Sequence, residues 1–375
     1  MQLSYWEKQS YFTNIDLLII GSGIVGLNAA ICYKSKYPKA KVIVFERGLL
    51  PLGASTKNAG FACFGSVSEL ADDLSHISEN TVWDTVKLRY NGLKKLKKLL
   101  GEKNIDYSEF GGFEVFDNKQ DFEACADVLK TFNTKMQAAI KLKNVYSIVN
   151  KKIESSQLKG FDYCIKNKFE GQLNTGRMMQ QLLALAHKKE ILLINGLEVE
   201  KINDSGKFTE VHFKNAFVVK SKKVIIATNG FAKQLLPQLN VKPARAQVIV
   251  TSQIKNLKLK GAFHYQKGYY YFRNTDNRVL LGGGRNLDFK NEETTDFGLT
   301  DKIQQQLEKL LKENILPGQH FTIEQRWSGI MGLGSEKKPI IQHVSENVVC
   351  AVRMGGMGVA IGGLVGEMAV GELLR

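Results

Sequence analysis

The chain has 375 residues, of which 43% are hydrophobic and 24% charged, as expected for a globular protein with one large domain or two intertwined domains. Its 34 glycines and 6 prolines exclude collagen-like and proline-rich disordered sequences. The 52 basic and 37 acidic residues give a net charge of +15, which favours anionic partners or a polyanionic cofactor without choosing between them.

Cysteine usage and hydropathy bear on the compartment. The five cysteines are scattered and form no C-x-x-C pair, which argues against a disulfide framework or a zinc site and favours a reducing compartment. Residues 1–14 carry no secretory signal. The apolar stretch 348–374 contains Arg353, Glu367 and Glu372, which a lipid-exposed helix would not tolerate. We therefore predict a cytoplasmic protein with no metal and no integral membrane segment.

The first elements form a recognisable unit. The isoleucine-rich run Ile15–Ile20 predicts a buried parallel strand. It leads into the turn Gly21-Ser22-Gly23-Ile24-Val25-Gly26, a helical segment over 27–33, and a second apolar run over 41–45 that ends at Glu46. This order predicts a β-α-β unit with the glycines at its first turn.

The residue types in this turn suit a dinucleotide. Gly21 permits a tight turn, Gly23 lets a pyrophosphate approach the backbone, and Gly26 lets the helix pack closely on the strand. The N–H groups and the dipole at the helix N-terminus favour phosphate. Glu46 lies about 20 residues after Gly26, where an acid would hold the ribose hydroxyls. Together with the flanking strands and helix, the glycine pattern becomes a specific signal of a dinucleotide-binding turn.

The remaining chain alternates between helical and strand patterns. Leucines at helical spacing with lysines between them predict an amphipathic surface helix over 93–100. Further helices are predicted over 121–143, 177–189 and 301–314 and from about Gly358, and strands over 111–116, 191–194, 199–202, 210–214, 224–230, 247–251, 268–273, 279–282 and 347–352, with a hairpin turn at 274–277. This order predicts an α/β nucleotide-binding domain interleaved with a mostly antiparallel α+β domain.

Further motifs follow the glycine turn in a fixed order. They are Gly53-Ala54-Ser55-Thr56-Lys57-Asn58-Ala59-Gly60-Phe61-Ala62, Pro243-Ala244-Arg245-Ala246-Gln247, Tyr271-Phe272-Arg273 with Leu280-Leu281-Gly282-Gly283-Gly284, Trp327-Ser328-Gly329, and Gly355-Gly356-Met357-Gly358. Together they resemble the flavin loop, the strand and hairpin of the substrate domain, and the closing segment of FAD-dependent oxidoreductases of the D-amino-acid oxidase and glycine oxidase (DAO) family.

The resemblance implies noncovalent FAD as the cofactor. It implies an FAD-binding Rossmann-like domain over 1–86, 165–236 and 326–375, and a substrate domain over 87–164 and 237–325. The residues it assigns to FAD are Gly21, Gly23, Ile24, Val25, Gly26, Glu46, Arg47, Ser55, Thr56, Lys57, Asn58, Gly60, Phe61, Ala62, Val199, Gly355, Gly356, Met357 and Gly358. Hydroxyls and a lysine suit phosphate, small loop residues suit a flat ring, and a glycine-led helix start suits the negative charge of the reduced ring.

The resemblance also implies the reaction. An amine or amino-acid C–N bond would be oxidised by hydride transfer to flavin N5, and the imine would then be hydrolysed. Because the cofactor carries this chemistry, we assign no general base. Oxygen or a quinone would reoxidise the flavin, and the sequence does not choose between them.

The sequence departs from the family where the substrate carboxylate binds. Met331 stands where amino-acid oxidases usually carry an arginine, and methionine cannot form the bidentate pair with a carboxylate. Arg245, Arg273 and Arg353 are candidate replacements, with Arg353 the best placed because it precedes the flavin-facing glycines; a structural arginine at a strand end is the alternative. The other substrate-pocket candidates are Cys63, Tyr269, Tyr271 and, as a cavity wall, His264.

Two other functions remain open at this stage. The superfamily includes an oxidase that processes modified wobble uridines in tRNA, and the lysines over 94–98 would suit a phosphate backbone, although a solvated helix face explains them as well. Met331 motivates a third hypothesis, a flavin-binding protein without catalysis.

Overall fold

The computed structural model describes residues 2–375. The α-helices in this range are α1 (Tyr5–Tyr11), α2 (Ile24–Lys36), α3 (Ala54–Lys57), α4 (Val67–His76), α5 (Glu79–Leu100), α6 (Lys119–Ile140), α7 (Lys151–Ser155), α8 (Thr175–Lys188), α9 (Asp301–Leu310) and α10 (Gly358–Leu373). The strands are β1 (Ile15–Ile20), β2 (Val42–Glu46), β3 (Phe61–Ala62), β4 (Gly112–Phe116), β5 (Tyr146–Ile148), β6 (Tyr163–Asn167), β7 (Gly171–Gln172), β8 (Leu192–Asn195), β9 (Val199–Asp204), β10 (Thr209–Phe213), β11 (Val218–Ile226), β12 (Lys242–Thr251), β13 (Ala262–Tyr265), β14 (Tyr270–Thr275), β15 (Arg278–Gly283), β16 (Ile323–Leu333), β17 (Ile340–Ser345) and β18 (Val348–Val352).

The first sheet has the order β17-β18-β11-β1-β2-β8, and β10 and β9 extend it from β11. Its central strands β18, β11, β1, β2 and β8 run parallel. Leu17 and Ile19 of β1 pack in one core with α2 and α10, whereas Ile15 and Ile20 pack in another with β9 and β10. Because both faces of β1 are covered, its sequence is almost continuously apolar, as predicted.

The second sheet has the order β16-β12-β15-β14-β13-β4-β6-β5. Every pairing in it is antiparallel except that of β13 with β4. The predicted hairpin is confirmed as β14 and β15, joined through Asp276 and Asn277 at φ 47° and 59°. Two successive residues with positive φ match the right-handed twist of the strands.

These two sheets confirm the predicted fold class, an α/β Rossmann-like domain interleaved with a mostly antiparallel one. The domain boundaries stay a prediction, and residues 326–333 of the segment assigned to the FAD-binding domain lie in β16 of the second sheet. In the part of the chain that the structure describes, no helix combines the length and the hydropathy needed to span a bilayer.

Local conformation explains where the predicted elements differ from the observed ones. Strand β14 begins at Tyr270, after Gln266, Lys267 and Gly268, which all have positive φ and cannot continue an extended strand. The predicted helix over 301–314 changes at Leu311 into a π-helical turn. The sequence analysis did not predict the helices α1, α3, α4 and α7 or the strands β3, β5, β6, β7, β13, β16 and β17.

Candidate active site

A cavity of about 600 Å³ extends from the carboxyl ends of β1 and β2 to the face of the second sheet. Most residues assigned to the cofactor line it, namely Gly21, Gly23, Ile24, Val25, Glu46, Arg47, Ser55, Lys57, Asn58, Phe61, Val199, Gly355, Gly356, Met357 and Gly358. Gly26, Thr56, Gly60 and Ala62 are not among the described lining residues. The cavity therefore brings distant parts of the chain together at the ends of the parallel strands.

The glycine turn forces β1 and α2 into close approach. Gly21 has φ +103°, and a Cβ on Gly26 would lie 1.9 Å from the Gly21 carbonyl oxygen. Helix α2 has no side-chain cap at Gly23, and the Ile24 N–H donates to Ser55 Oγ at 2.9 Å. The N-terminus of α2 and a serine hydroxyl thus face the cavity, which is the arrangement that binds a phosphate.

Glu46, the last residue of β2, is held in one orientation. Its Oε2 accepts from Ser22 N at 3.1 Å and Ser22 Oγ at 3.0 Å, and its Oε1 accepts from Gly48 N at 3.1 Å. Next to it, the Arg47 guanidinium lies 3.8 Å from the centroid of the Phe231 ring. A fixed carboxylate on the cavity wall at this strand end suits a pair of ribose hydroxyls.

The predicted flavin loop is fixed from two sides. Asn58 Oδ1 accepts from Gly60 N at 2.9 Å and from Thr175 Oγ1 at 2.9 Å, while Trp327 Nε1 donates to the Lys57 carbonyl at 2.9 Å. Thr56 does not present its hydroxyl to the cavity as expected, because that hydroxyl donates to the Pro51 carbonyl at 2.7 Å. The loop is therefore braced by α8 and β16.

Arg273 supports the loop from behind instead of lining the substrate pocket. It is 5% exposed and donates to the carbonyls of Ala59, of Leu173 at 3.0 Å and of Asn274 at 3.2 Å. Burial lowers the pKa of this guanidinium to about 10. Its assignment as a substrate-pocket residue is corrected, since its donors are taken by backbone carbonyls.

The other two candidate arginines also point elsewhere. Arg245 forms a bidentate pair with Glu292, both N···O distances being 2.8 Å. Arg353, at φ +68°, donates to the carbonyls of Lys338 at 2.8 Å and Asn240 at 3.2 Å. Neither lines the cavity in the described part of the chain, so the alternative of a structural arginine applies to Arg353.

The far end of the cavity is largely aromatic. The Phe61 ring contacts His264 and Tyr271 edge-on, with centroids 5.2 Å and 5.6 Å apart. Tyr269, in the turn before β14, and Tyr271 line the cavity, while Tyr270 is buried in the core, as alternation along β14 requires of Tyr270 and Tyr271. Cys63 and Met331 line the cavity too, and a Cβ on Gly356 would lie 3.6 Å from Met331 Sδ.

A network of charges, with Arg89 buried and Lys337 exposed, lies beside these aromatic residues. Glu69 accepts from Arg89 Nη2 at 3.1 Å and from Lys337 Nζ at 3.3 Å. Burial opposes ionisation of Glu69, but the positive charges of Arg89 and Lys337 outweigh it and lower the pKa to about 2. Burial also lowers the pKa of His264 to about 4, so its ring is neutral at pH 7.

The family model described as FAD dependent oxidoreductase (DAO) matches residues 16–371. The chain belongs to this family. Among solved structures it is similar to glycine oxidase from Geobacillus kaustophilus, with a TM-score of 0.75 and 17% identity over 96% of this chain and 94% of that one. It is also similar to L-proline dehydrogenase from P. horikoshii, with a TM-score of 0.74 and 17% identity over 95% and 92%.

A third similar structure is iminodiacetate oxidase from Chelativorans sp. BNC1, with a TM-score of 0.73 and 18% identity over 96% of this chain and 95% of that one. Identities this low show the shared fold. No curated protein sequence matches the chain.

The site of this FAD-dependent oxidoreductase fits its cofactor. The close approach at Gly26 and the α2 N-terminus beside Ser55 form a cradle for a diphosphate, and Glu46 stands at the expected ribose position. At the other end, Gly355 and Gly356 have φ +59° and +80° and precede α10, which has no side-chain cap. Two helix N-termini therefore direct positive dipole ends toward one cavity.

Several residues of the site were missed by the sequence analysis. Glu69, Lys267, Arg285 and Lys337 line the cavity, but none lies in a recognised motif. Arg285 directly follows Gly282-Gly283-Gly284, so the end of the hairpin strand was the available signal.

The lysines of α5, which motivated the tRNA hypothesis, are partly paired within the protein. Lys95 pairs with Glu367, and Lys97 Nζ lies 3.1 Å from Glu102. Binding of tRNA by this helix stays a prediction.

A cluster of three side chains at the aromatic end of the cavity could hold a metal ion. Cys63, Glu170 and His264 each bring a donor atom within 4.8 Å of the others. The Glu170 carboxylate already accepts from Phe64 N at 2.7 Å and Gly65 N at 2.9 Å. The absence of a metal at these side chains stays a prediction.

Glu170 is expected to make the unfolding free energy fall as pH rises from 5 to 8. Burial raises its pKa to about 7, against an ordinary value of 4.5. A raised carboxyl pKa means that the folded state holds the proton more tightly than the unfolded state. The contribution of protonated Glu170 to the unfolding free energy is therefore complete below pH 4.5 and is lost as pH rises through 7. Urea unfolding at pH 5, 6.5 and 8 should show wild type losing about 2 kcal/mol relative to Glu170→Gln. Parallel pH curves for the two proteins would contradict this assignment.

Proposed function

We propose that this FAD-dependent oxidoreductase oxidises the C–N bond of a small amine or amino acid and binds FAD noncovalently. The observation that carries the proposal is the single cavity of about 600 Å³ that joins the diphosphate cradle to the aromatic face of the second sheet. Glycine oxidase, L-proline dehydrogenase and iminodiacetate oxidase, which share the fold, are each named for an amino-acid-like compound and support the same substrate class.

The residues of the chain divide the work of holding FAD. The α2 N-terminus and Ser55 would bind the diphosphate, Glu46 the ribose, and Val199 the adenine edge. The Gly355–Gly358 turn would place the dipole of α10 where the bound ring gains negative charge. FAD, when bound, would supply the chemistry by accepting a hydride, and with it two electrons, from the substrate carbon.

The aromatic end of the cavity suits an amine. Phe61, Tyr271 and Met331 exclude water from the reacting carbon, which protects the imine until it is released for hydrolysis. The neutral ring of His264 adds no positive charge to this wall, so it does not repel a protonated amine. The Nε2 atom of His264 is buried and has no hydrogen-bond partner within residues 2–375. Oxygen or a quinone as the electron acceptor and a cytoplasmic location complete the proposal.

Anaerobic absorbance of the purified flavoprotein tests this function. The protein is mixed in turn with D- and L-amino acids, N-methyl amines, polyamines and hypomodified tRNA, and loss of the flavin absorbance is followed. We expect rapid bleaching by one class of small amine or amino acid, because the cavity joins the cofactor site to a pocket of that size. Bleaching by tRNA alone would contradict the small-molecule proposal, and a yellow protein that no donor bleaches would contradict catalysis.

A further inference from the structure

The charged side chains at the substrate end of the cavity are nearly all paired with one another. Lys267 Nζ lies 2.6 Å from Asp72, and Lys337 Nζ lies 2.6 Å from Asp73 and 3.3 Å from Glu69. These contacts neutralise both lysines within the protein. A substrate anion therefore gains less from either lysine than from a cation whose charge is not already balanced.

Arg285, unlike these lysines, lines the cavity without an ion-pair partner in the described chain. It follows Gly284, which has φ +78°, and lines the cavity where β15 ends. Its guanidinium carbon lies 4.6 Å from the centroid of the Phe289 ring, and its side chain has no hydrogen bond or ion pair with any residue of 2–375. Stacking on an aromatic face leaves the N–H groups at the edge of a guanidinium free to donate.

The surroundings place Arg285 at the mouth of the cavity. The Gly284 N–H donates to the Tyr269 carbonyl at 3.0 Å, which fixes Tyr269 beside the start of the Arg285 turn. Tyr269 is 40% exposed, Phe289 is 45% exposed, and their rings contact edge-on with centroids 5.9 Å apart. Arg285 therefore stacks on Phe289 at the solvent edge, whereas Met331 lies next to the Gly356 turn.

Lys57 is the other cation on the cavity wall without a partner in the described chain, but it lies at the cofactor end. It belongs to α3 with Ser55, whose hydroxyl accepts from the Ile24 N–H at the start of α2, and a Cβ on Gly329 would lie 2.8 Å from Lys57 Cβ. Its charge is placed for the cofactor phosphates. At the substrate end, one unpaired guanidinium remains, which matches a single carboxylate in bidentate geometry.

We propose that Arg285 binds the carboxylate of the substrate at the mouth of the cavity. This inference rests on the proposed function and narrows it, because it selects an amino acid with one carboxylate over a plain amine. The carboxylate would lie away from Met331, so the residue that replaces the family's usual arginine contacts the apolar part of the substrate instead.

Calorimetric titration of the FAD-loaded protein with benzoate and with benzamide tests the inference without turnover. We expect benzoate to bind at least 10-fold more tightly than benzamide, and Arg285→Gln to weaken benzoate about 10- to 100-fold while leaving benzamide unchanged. Arg285→Lys should recover part of the affinity. The matched control is Arg278→Gln at the other end of β15, where the side chain pairs with Glu324 and should leave benzoate binding unchanged.

The outcomes separate this inference from the proposed function. If Arg285→Gln, with normal flavin content, binds benzoate as wild type does, or if Lys57→Gln causes the loss instead, the inference is overturned. If wild type binds benzoate through Arg285 but no donor bleaches the flavin, the carboxylate site stands and the proposed function fails. As substrates, glycine should bleach the flavin faster than methylamine, and 4-aminobutyrate faster than butylamine. Faster bleaching by the amine without a carboxylate would also overturn the inference.

Discussion

Replacing Gly26 with alanine is expected to abolish FAD retention and to lower the unfolding free energy by about 3 kcal/mol or more. The added Cβ would lie 1.9 Å from the Gly21 carbonyl oxygen and 3.2 Å from Ile19 Cγ2. The first of these is a backbone atom of the turn itself, so no side-chain rotation relieves the overlap. Helix α2 would have to move off β1, although it packs on α10 from its other side. Urea unfolding and the flavin-to-protein absorbance ratio after desalting measure both effects.

Gly371→Ala is the matched control for this substitution. Gly371 lies in α10, and a Cβ there meets no atom within 4 Å. Removing a glycine from a helix is expected to leave the unfolding free energy unchanged or raise it by up to about 1 kcal/mol, with full flavin content. If Gly26→Ala instead kept the wild-type flavin content and the wild-type unfolding free energy, the inferred close packing of α2 on β1 would be contradicted.

The parts of the site that the sequence predicts are those in which local pattern and tertiary position coincide. The β1-α2-β2 unit is contiguous, so an apolar strand, a glycine turn and Glu46 can be recognised together, and all of them line one cavity. Strand alternation likewise separates Tyr271, on the cavity wall, from the buried Tyr270. Both inferences use only the residue pattern within one contiguous segment of the chain.

The arginines show where such inference ends. Arg353 adjoins the flavin-facing glycines in sequence, but at φ +68° it directs its guanidinium to the carbonyls of Lys338 and Asn240. Arg273 follows the aromatic strand and yet serves the backbone of the flavin loop. Proximity in sequence does not determine where a long side chain finds its acceptors, because the acceptors come from other elements.

The charge network on α4 and α5 was beyond prediction for the same reason. Glu69, Arg89 and Lys337 belong to three separate segments, and the ion pair of Lys337 with Glu69 joins residues 268 positions apart. The leucine pattern over 93–100 indicates an amphipathic helix but says nothing of Arg89, which faces inward one helix turn earlier. Only the packing of α5 against α4 brings its guanidinium to the carboxylate.

Removing Arg89 should therefore destabilise the protein strongly, although this residue does not line the cavity and belongs to no predicted motif. Arg89 is 2% exposed, and its guanidinium donates to Glu69 at 3.1 Å and to the Phe64 carbonyl at 3.4 Å. Arg89→Met leaves a mostly buried carboxylate with Lys337 as its remaining partner, so we expect a loss of about 3–5 kcal/mol in unfolding free energy at pH 7. The Phe64 carbonyl also loses a donor. Urea unfolding of the two proteins measures the difference.

The pH dependence identifies Glu69 as the origin of that loss. Its folded pKa of about 2 lies below the ordinary 4.5, so its stabilising contribution is present above pH 4.5 and declines as pH falls toward 2. In Arg89→Met the pKa of Glu69 rises, and the deficit relative to wild type should shrink as pH falls from 4.5 toward 2. Adding Glu69→Gln should recover part of the lost stability, because a neutral amide needs no counter-ion. Arg278→Met, which breaks an exposed pair with Glu324, should cost at most about 1 kcal/mol. Equal losses in Arg89→Met and Arg278→Met would show that Arg89 contributes packing and not charge.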